Sequence, residues 1–255
     1  DDIDVATARE LAARAAIAIE NARLHQEAKR AVALRDRVLA IVAHDLRSPL
    51  TTINLSSSVV RKACDMSSDA QALRAIEAIE RNVGRAKRLI DDLLDMSSIQ
   101  SGQLSLDLVP CEITSILTES VDQFGPVAHE RGVELIYRFA MEHARVCGDR
   151  DRLVQVLSNL LGNAIKFCSA GDRIELRAET RDDDVVIEVE DTGAGIASEN
   201  LSQIFELYWR GEKRTSTGLG LFIARGIIAA HGGRIDVTSE LGRGTNFTIV
   251  LPQLA

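Results

Sequence analysis

The absence of glycine from the first quarter of the chain is the feature that most restricts how it can fold. Residues 7–62 contain no glycine, and Pro49 is their only proline. Because both residues disfavour helix interiors, a run of this length predicts a long helix. Apolar residues recur every seven positions at Ile17, Leu24, Ala31 and Val38, which is the spacing of a coiled-coil seam. We favour a coiled-coil dimer; the alternative is a single helix that packs on its own domain.

A second helix is predicted from about residue 70 to residue 101, after the short polar stretch DMSSDA. Its apolar face has helical spacing and consists of Leu73, Ile76, Ile79, Val83, Ile90, Leu93 and Leu94. The two helices form a helical hairpin, which by itself buries too little apolar surface to be stable. Two such hairpins solve this problem by pairing into a dimeric four-helix bundle.

Beyond residues 102–111 the pattern changes to alternating helices and strands. Helices are predicted at 112–131, 150–168 and 217–232, and strands at 133–139, 173–180, 185–192, 234–240 and 246–252. This mixture predicts an α+β sandwich with helices on one face of a sheet. We therefore expect three parts: a signalling helix at 1–37, a helical hairpin domain at 38–105 and the sandwich at 110–255.

Composition limits the classes of partner and the location. The net charge of −8 argues against nucleic acid as a partner, since phosphate binding needs a basic face. Four widely spaced cysteines with no CxxC pair are typical of reduced thiols and predict a cytoplasmic protein. No apolar run approaches the ~20 residues of a membrane span. The chain opens without a methionine, so we expect a piece of something longer.

His44 and Asp45 stand side by side within IVAHDLRSPL, residues 41–50. The residues three and four positions from His44 share its helix face and are mostly polar, so we expect its ring at the surface. An exposed imidazole that a carboxylate orients through one ring nitrogen can act as a nucleophile through the other. Pro49 removes a helical hydrogen bond to Asp45 and predicts a kink beside the histidine.

A second candidate site begins with NLLGNAIKF, residues 159–167. Asn159, Asn163 and Lys166 lie four and three residues apart, so they share one face of a helix. An amide oxygen is a hard ligand suited to Mg²⁺, and a lysine supplies a point charge for phosphate. A solvated polar stripe is the alternative interpretation.

Glycine-containing turns supply the rest of this candidate site. In DTGAGI, Gly193 and Gly195 permit close backbone approach after a strand, and Asp191 can accept a hydrogen bond from an amino group such as that of adenine. The polar stretch 210–217 is predicted to be a mobile loop that closes over a nucleotide. Gly218 and Gly220 then open a helix whose amides can meet phosphate. We also expect Thr245 to support Asp191 from a neighbouring strand.

Five stretches in this order resemble the motifs of the sensor histidine kinases of two-component systems, over nearly the whole chain. AHDLRSPL resembles the H box, NLLGNAIKF the N box, DTGAGI the first glycine box, IFELYWR the F box and GLGLFIARGIIAAHGG the second glycine box. The segment ARELAARAAIAIENARLHQEA also resembles the last helix of a GAF sensor domain.

The resemblance implies a fold, a reaction and roles for particular residues. The fold is a dimeric four-helix bundle followed by a Bergerat-type α/β sandwich that binds ATP. The reaction is ATP-dependent autophosphorylation of His44, followed by transfer to an aspartate of a response regulator in trans. Asp45 orients or deprotonates the histidine. The implied nucleotide residues are Asn163 as the Mg²⁺ ligand, Asn159 and Lys166 beside the phosphates, Asp191 at adenine, and Gly193, Gly195, Gly218 and Gly220 shaping the pocket.

Two positions depart from the pattern, and two other functions remain open. Ser48 stands where relatives with phosphatase activity often carry threonine or asparagine, which leaves that activity in doubt. Tyr208 replaces a common phenylalanine of the F box. The alternative functions are an ATP-hydrolysing relative with the same nucleotide fold, like DNA gyrase, and a dimeric scaffold with a vestigial site. Acid-labile phosphorylation of the protein would distinguish a kinase from an ATP-hydrolysing relative. Nucleotide binding would distinguish a kinase from a scaffold.

Overall fold

The computed structural model describes residues 20, 23, 46, 49–60, 62, 69–141, 144–209 and 218–254. Contacts between Cα atoms divide the chain into two units, Asp1–Leu89 and Ile90–Ala255, and each is described by itself. The three-part division expected from the sequence therefore stays a prediction.

The N-terminal part is helical wherever it is described. Residues 49–60 are helical, and helix α1 spans Asp69–Gln100, within one residue of the predicted bounds. Most of the predicted helix at 7–62 lies outside the described residues, and so does the helix before Pro49 in which a kink is expected. In the described part of the chain, no helix combines the length and apolarity needed to cross a membrane.

The C-terminal part is an α+β sandwich, as predicted. Its strands are β1 Val109–Glu112, β2 Glu134–Ala140, β3 Arg145–Gly148, β4 Arg173–Arg181, β5 Asp184–Asp191, β6 Arg234–Glu240 and β7 Gly244–Pro252. Its helices are α2 Ile113–Glu130, α3 Arg150–Phe167, α4 Ser198–Leu201 and α5 Gly220–Ala230. Five strands form one sheet in the order β2-β4-β5-β7-β6, in which only the β2–β4 pair is parallel.

The core lies between one face of this sheet and helices α2, α3 and α5. Along β4, Ile174, Leu176 and Ala178 alternate toward this face and are buried. Helices α3 and α5 cover the face with a stripe of aliphatic side chains, among them Leu160, Leu161, Ile223 and Ile227. Burial of this aliphatic surface is the main stabilising contribution, because aromatics make up only 4 % of the chain. The polar candidate residues lie along one side of α3 and at the C-terminal end of β5.

Three short elements were not predicted. β1 and β3 are four-residue strands that pair antiparallel with each other, from Val109 opposite Gly148 to Glu112 opposite Arg145. α4 is a four-residue helix. Elements of this length contain too few residues to show a period, so the sequence carries no signal for them.

Candidate nucleotide-binding site

One stripe along helix α3 carries the three polar residues predicted on it. Asp149 caps the helix, accepting a hydrogen bond from the Arg152 N–H at 3.2 Å through its side chain. The residues of the stripe recur at intervals of three and four and are half-buried, and they are Arg152, Gln155, Asn159, Asn163 and Lys166. The buried face of α3 packs on the sheet, so the stripe is held at the margin of the core.

Asn159 joins the helix to the second glycine segment. Its Nδ2 donates a hydrogen bond to the Gly220 carbonyl oxygen at 3.1 Å. A Cβ on Gly220 would lie 3.1 Å from Asn159 Oδ1, so the close fit depends on glycine. Two motifs that lie 61 residues apart in sequence therefore meet at the N-terminus of α5. Because its side-chain amide is already hydrogen-bonded to Gly220, Asn159 holds α3 against the N-terminus of α5.

Asn163 and Lys166 lie further along the same helix, toward Phe167. Both are half-buried, and Lys166 Nζ lies 4.8 Å from the centroid of the Phe167 ring. The Phe167 carbonyl oxygen accepts a hydrogen bond from the Ala194 N–H at 3.4 Å. The end of the α3 stripe is thereby tied to the turn that follows β5. Their roles at metal and phosphate stay predictions.

Asp191 ends strand β5 and is buried, with 6 % of its surface exposed. Its Oδ1 accepts a hydrogen bond from the Gly193 N–H at 2.9 Å. A Cβ on Gly193 would stand 2.8 Å from the Phe167 carbonyl oxygen, which explains the glycine. Thr245 is the register partner of Asp191 on β7, and its backbone N–H also stabilises the carboxylate. The sequence expectation that Thr245 lies beside Asp191 is confirmed.

Burial dominates the electrostatics around Asp191. Loss of solvent raises the pKa of its carboxyl, and the N–H groups of Gly193 and Thr245 offset part of this effect. Burial likewise raises the pKa of the nearby Cys168 thiol to about 12, with the charges of Asp191 and Asp172 adding to the rise. Cys168 is therefore an uncharged neighbour of the carboxylate at neutral pH.

Gly195 and Gly218 adopt backbone conformations that other residues rarely reach. Their φ angles are 68° and 73°. A Cβ on Gly195 would overlap the Glu240 carbonyl oxygen, and one on Gly218 would lie 2.6 Å from the Trp209 carbonyl oxygen. The Gly218 carbonyl oxygen accepts a hydrogen bond from the Tyr208 N–H at 3.1 Å. Each glycine therefore fixes a turn at the margin of the candidate site.

The predicted phosphoacceptor lies outside the described residues. His44 and Asp45 belong to the part of the chain whose placement the structure does not describe, as does the predicted loop at 210–217. The candidate residues that the structure brings together are Asn159 with Gly220, Asp191 with Gly193 and Thr245, and the α3 end with the turn after β5.

Sequence reasoning missed two polar groups. The first is a buried carboxylate, Asp95, near the end of α1, which accepts hydrogen bonds from Arg152 and Gln155, both at 2.6 Å. Arg152 and Gln155 continue the α3 stripe toward its N-terminus, so their spacing was the available signal. The second is Ser239 on β6, whose hydroxyl contacts Gly244, Thr245 and Ile196. Strand alternation places Ser239 on the face that carries Thr245, but nothing local marks it.

The donor set of the described residues fits a metal that arrives with a phosphate ligand. No three His, Cys, Asp or Glu side chains of the described residues cluster closely enough to hold a metal ion. Asn163 supplies a neutral amide oxygen next to a lysine, which is the kind of partial shell that Mg²⁺ completes with phosphate oxygens and water. The buried Asp191 carboxylate, next to the turn that contacts the Phe167 end of the stripe, fits a hydrogen-bond donor of a base.

Family comparisons divide the chain in the same way as its motifs. Residues 34–102 match the His Kinase A (phospho-acceptor) domain. Residues 148–255 match the histidine kinase-, DNA gyrase B-, and HSP90-like ATPase family. The first match contains His44, and the second contains every candidate residue of the α3 stripe and the glycine turns.

Individual relatives are sensor proteins. The chain is 34 % identical over 220 residues to the alginate biosynthesis sensor protein KinB of Pseudomonas aeruginosa, a match that covers 86 % of this chain and 37 % of KinB. It is 32 % identical over 221 residues to the sensor protein SrrB of Staphylococcus aureus, covering 84 % of this chain and 37 % of SrrB.

Among solved structures, full-length ShkA in complex with AMPPNP superposes with a TM-score of 0.65 at 27 % identity, over 86 % of this chain and 46 % of ShkA. The chain thus spans a little over a third of the length of the curated relatives it matches. With a phosphoacceptor domain followed by an ATPase domain, the chain carries the two-domain core of a histidine kinase.

Proposed function

We propose that this chain is the catalytic core of a protein-histidine kinase that uses ATP to phosphorylate His44 and then passes the phosphoryl group to an aspartate of a response regulator in trans. The observation that carries the proposal is the contact between Asn159 and Gly220, which joins two motifs of the candidate phosphate site. The structure of full-length ShkA, which is similar to this chain, is a complex with AMPPNP, and this supports a nucleotide ligand here.

The chemical step needs a neutral imidazole, which is available at pH 7 because histidine has a reference pKa of about 6.5. A lone pair on one ring nitrogen of His44 attacks the γ-phosphorus. The N–P bond forms as the bond from phosphorus to the β,γ-bridging oxygen breaks, and ADP leaves with that electron pair. Asp45 stabilises the positive charge that develops on the ring and holds the proton of its other nitrogen. Catalysis is then mainly positioning and charge neutralisation.

The sandwich residues bind and orient the nucleotide in this proposal. Asp191 accepts a hydrogen bond from the adenine amino group, and Lys166 attracts the phosphates. Asn163 would hold Mg²⁺, and the metal would supply neutralisation of phosphate charge. The N-terminal amides of α5, braced by Asn159, face the phosphates.

Incubation with γ-labelled ATP tests the function directly. We expect label on the protein that is lost in acid and kept in base, because a phosphoramidate N–P bond is acid-labile. Release of free phosphate without labelled protein would assign the chain to an ATP-hydrolysing relative. Failure to bind nucleotide with or without Mg²⁺ would favour a scaffold.

The pH dependence of nucleotide binding follows from the burial of Asp191. Its pKa in the folded protein is raised above the ordinary 3.8, so the carboxylate acceptor is lost at a higher pH than for an exposed aspartate. We expect ADP affinity to fall on acidification, beginning above pH 3.8. The same group acts on stability with the opposite sign, since a raised folded pKa makes the free energy of unfolding rise as the pH falls through it.

Calorimetric titration of ADP across acidic pH values measures this dependence, and Asp191→Asn is the control, because an amide does not titrate. The wild-type curve should drop more steeply than the curve for Asp191→Asn, because the variant keeps only the pH dependence that comes from protonation of ADP itself. Parallel curves for the two proteins would show that Asp191 is not the titrating group.

A homodimer completes the proposal. Five large aliphatic side chains at near-heptad spacing on α1 are exposed in the single chain, and they are Leu73, Ile76, Val83, Ile90 and Leu94. They belong to the apolar face that the sequence assigns to a four-helix bundle. An exposed stripe of this kind needs a covering surface, and a second copy of the same helix presents a complementary one.

Val83→Glu tests the dimer. A carboxylate at the centre of the apolar seam should weaken dimerisation by at least about tenfold, because burying an unpaired charge costs several kcal/mol. Light scattering during gel filtration measures the mass. Arg85→Glu adds the same side chain at an exposed position two residues away, off the seam, and should remain dimeric. A monomeric wild type, or a Val83→Glu variant that dimerises normally, would contradict the proposal.

A further inference from the structure

The last turns of α1 are held against the sandwich by a buried carboxylate. Residues 90–100 belong to the same unit as the sandwich, and Asp95 lies among them with 6 % of its surface exposed. One of its oxygens accepts a hydrogen bond from Arg152 Nη1, and the other accepts one from Gln155 Nε2, both at 2.6 Å. Both oxygens of the carboxylate are therefore bound by the first turns of α3.

Two further contacts flank this ion pair. The Tyr208 hydroxyl donates a hydrogen bond to Met96 Sδ at 3.2 Å. Ile99 packs so closely on α5 that a Cβ on Gly226 would lie 2.6 Å from its Cδ1. We call the contacts made by Asp95, Met96 and Ile99 the α1 clasp. The clasp engages α3 and α5, which are the two helices that carry the candidate phosphate residues.

The α1 clasp has the character of a contact that can open. Its centre is an ion pair, and Arg152 keeps 30 % of its side-chain surface exposed, so both charged groups regain water when they separate. Residues 103–108, which join α1 to β1, have no regular structure and are largely exposed. A small polar interface next to such a connection permits relative motion of the parts that it joins.

Tyr208 has a strained backbone that the clasp helps to maintain. Its φ is 62°, in the left-handed region that bulky residues rarely occupy. Such a conformation persists only where surrounding contacts enforce it, and it is found most often at functional sites and switches. The enforcing contacts include the hydroxyl on Met96 and the Tyr208 N–H on the Gly218 carbonyl oxygen. Opening the clasp removes the first of these and so favours relaxation of Tyr208.

We propose that the α1 clasp is a brake on phosphoryl transfer: while it is closed the sandwich is held on α1, and it opens before His44 is phosphorylated. This rests on the proposed function, in which His44 meets first the nucleotide on the sandwich and then a response regulator. A sandwich fixed to α1 cannot both deliver the phosphoryl group and make way for the regulator. Asp95 is a positioning residue in this proposal, since it contacts neither the nucleotide nor His44.

Asp95→Ala tests the brake, and autophosphorylation with γ-labelled ATP is the measurement. Without the carboxylate the open arrangement gains population, and the rate at saturating ATP rises in proportion. We expect this rate to rise about three- to tenfold, which is the shift that a modest change in the closed-to-open equilibrium gives. The KM for ATP and the Kd for ADP should stay unchanged. A merely structural defect would instead lower the rate or weaken nucleotide binding.

Matched variants separate the ion pair from general damage. Asp91→Ala makes the same change at an exposed position one turn earlier on α1 and should keep the wild-type rate. Asp95→Arg should open the clasp, because it faces Arg152 with a like charge. Adding Arg152→Asp to it restores an ion pair of reversed polarity and should return the rate toward wild type. Tyr208→Phe removes only the hydrogen bond to Met96 and should raise the rate less than Asp95→Ala does.

The outcomes distinguish the brake from the proposed function. A folded Asp95→Ala with an unchanged or lower rate overturns the brake, and so does a charge-swapped double variant that stays as fast as Asp95→Arg. If Asp95→Ala does not fold, Tyr208→Phe decides, and an unchanged rate in that variant overturns the brake. A wild type that takes up no label refutes the proposed function and the brake with it, whereas a labelled wild type with equally fast variants refutes the brake alone.

Discussion

Replacing His44 with alanine should abolish autophosphorylation and leave nucleotide binding unchanged. The imidazole nitrogen is the nucleophile in the proposed reaction, and alanine has no atom that can form the N–P bond. We expect labelling to fall below about 1 % of wild type, since no other group in the mechanism can substitute for the nucleophile. ADP affinity should persist because every nucleotide residue proposed lies at or beyond Asn159. Labelling with γ-labelled ATP measures autophosphorylation, and calorimetry with ADP measures nucleotide binding.

The two histidines in the described part of the chain, His129 and His231, serve as controls for this experiment. His231 is buried, its Nδ1 lies 2.8 Å from the Ile227 carbonyl oxygen, and its Nε2 accepts a hydrogen bond from the Asp149 N–H at 2.9 Å. Both ring nitrogens are engaged, so His231 has no lone pair for phosphorus. His129 is exposed in the last turn of α2, and His129→Ala should label normally. Label retained by His44→Ala would remove His44 from the reaction.

Replacing Asn163 with alanine should weaken Mg²⁺-dependent nucleotide binding strongly. Asn163 is the proposed amide ligand of the metal, and even residues that only support a metal ligand typically cost about 10–100-fold in affinity when removed. We therefore expect the dissociation constant of ADP with Mg²⁺ to rise by at least about tenfold. The constant measured with a chelator in place of Mg²⁺ should change much less. Calorimetry under both conditions gives the comparison.

Asn54→Ala is the matched control, because Asn54 is exposed on the helix at 49–60 and lies outside the residues of the candidate site. It should leave both constants unchanged. Equal losses for Asn163→Ala with and without Mg²⁺ would point to a packing defect in α3. Unchanged affinity in Mg²⁺ would refute Asn163 as the metal ligand.

The long elements follow from local pattern. The apolar spacing of α1 and α3 predicted both helices to within one residue at either end. The alternating stretch RIDVTSE predicted β6 over Arg234–Glu240 as observed. These segments are long enough for the periodic spacing of their apolar side chains to be recognised. Burial of one face produces this spacing, once per turn in a helix and at every second residue in a strand. The short β1 and β3 strands depend on pairing with each other, and β3 also on its bridge to Gln253, so no local signal marks them.

The order and spacing of the motifs in the sequence were enough to place the candidate residues on their helices and strands. Asn159, Asn163 and Lys166 share a helix face because of the helical repeat, whatever the rest of the chain does. Asp191 ends a strand because glycines follow it. The family assignment rests on the same local information.

The amino-acid order by itself determined the helices, the strands and which residue types stand at their ends. Tertiary structure alone decided which of those residues meet: Asn159 donates to Gly220, Asp95 pairs with Arg152, and the Ser239 hydroxyl contacts the Thr245 hydroxyl. The physical reason is that hydrogen bonds act over about 3 Å. Only packing of α3, α5 and the sheet brings groups so distant in sequence within that range, and so gives each hydroxyl and amide its partner.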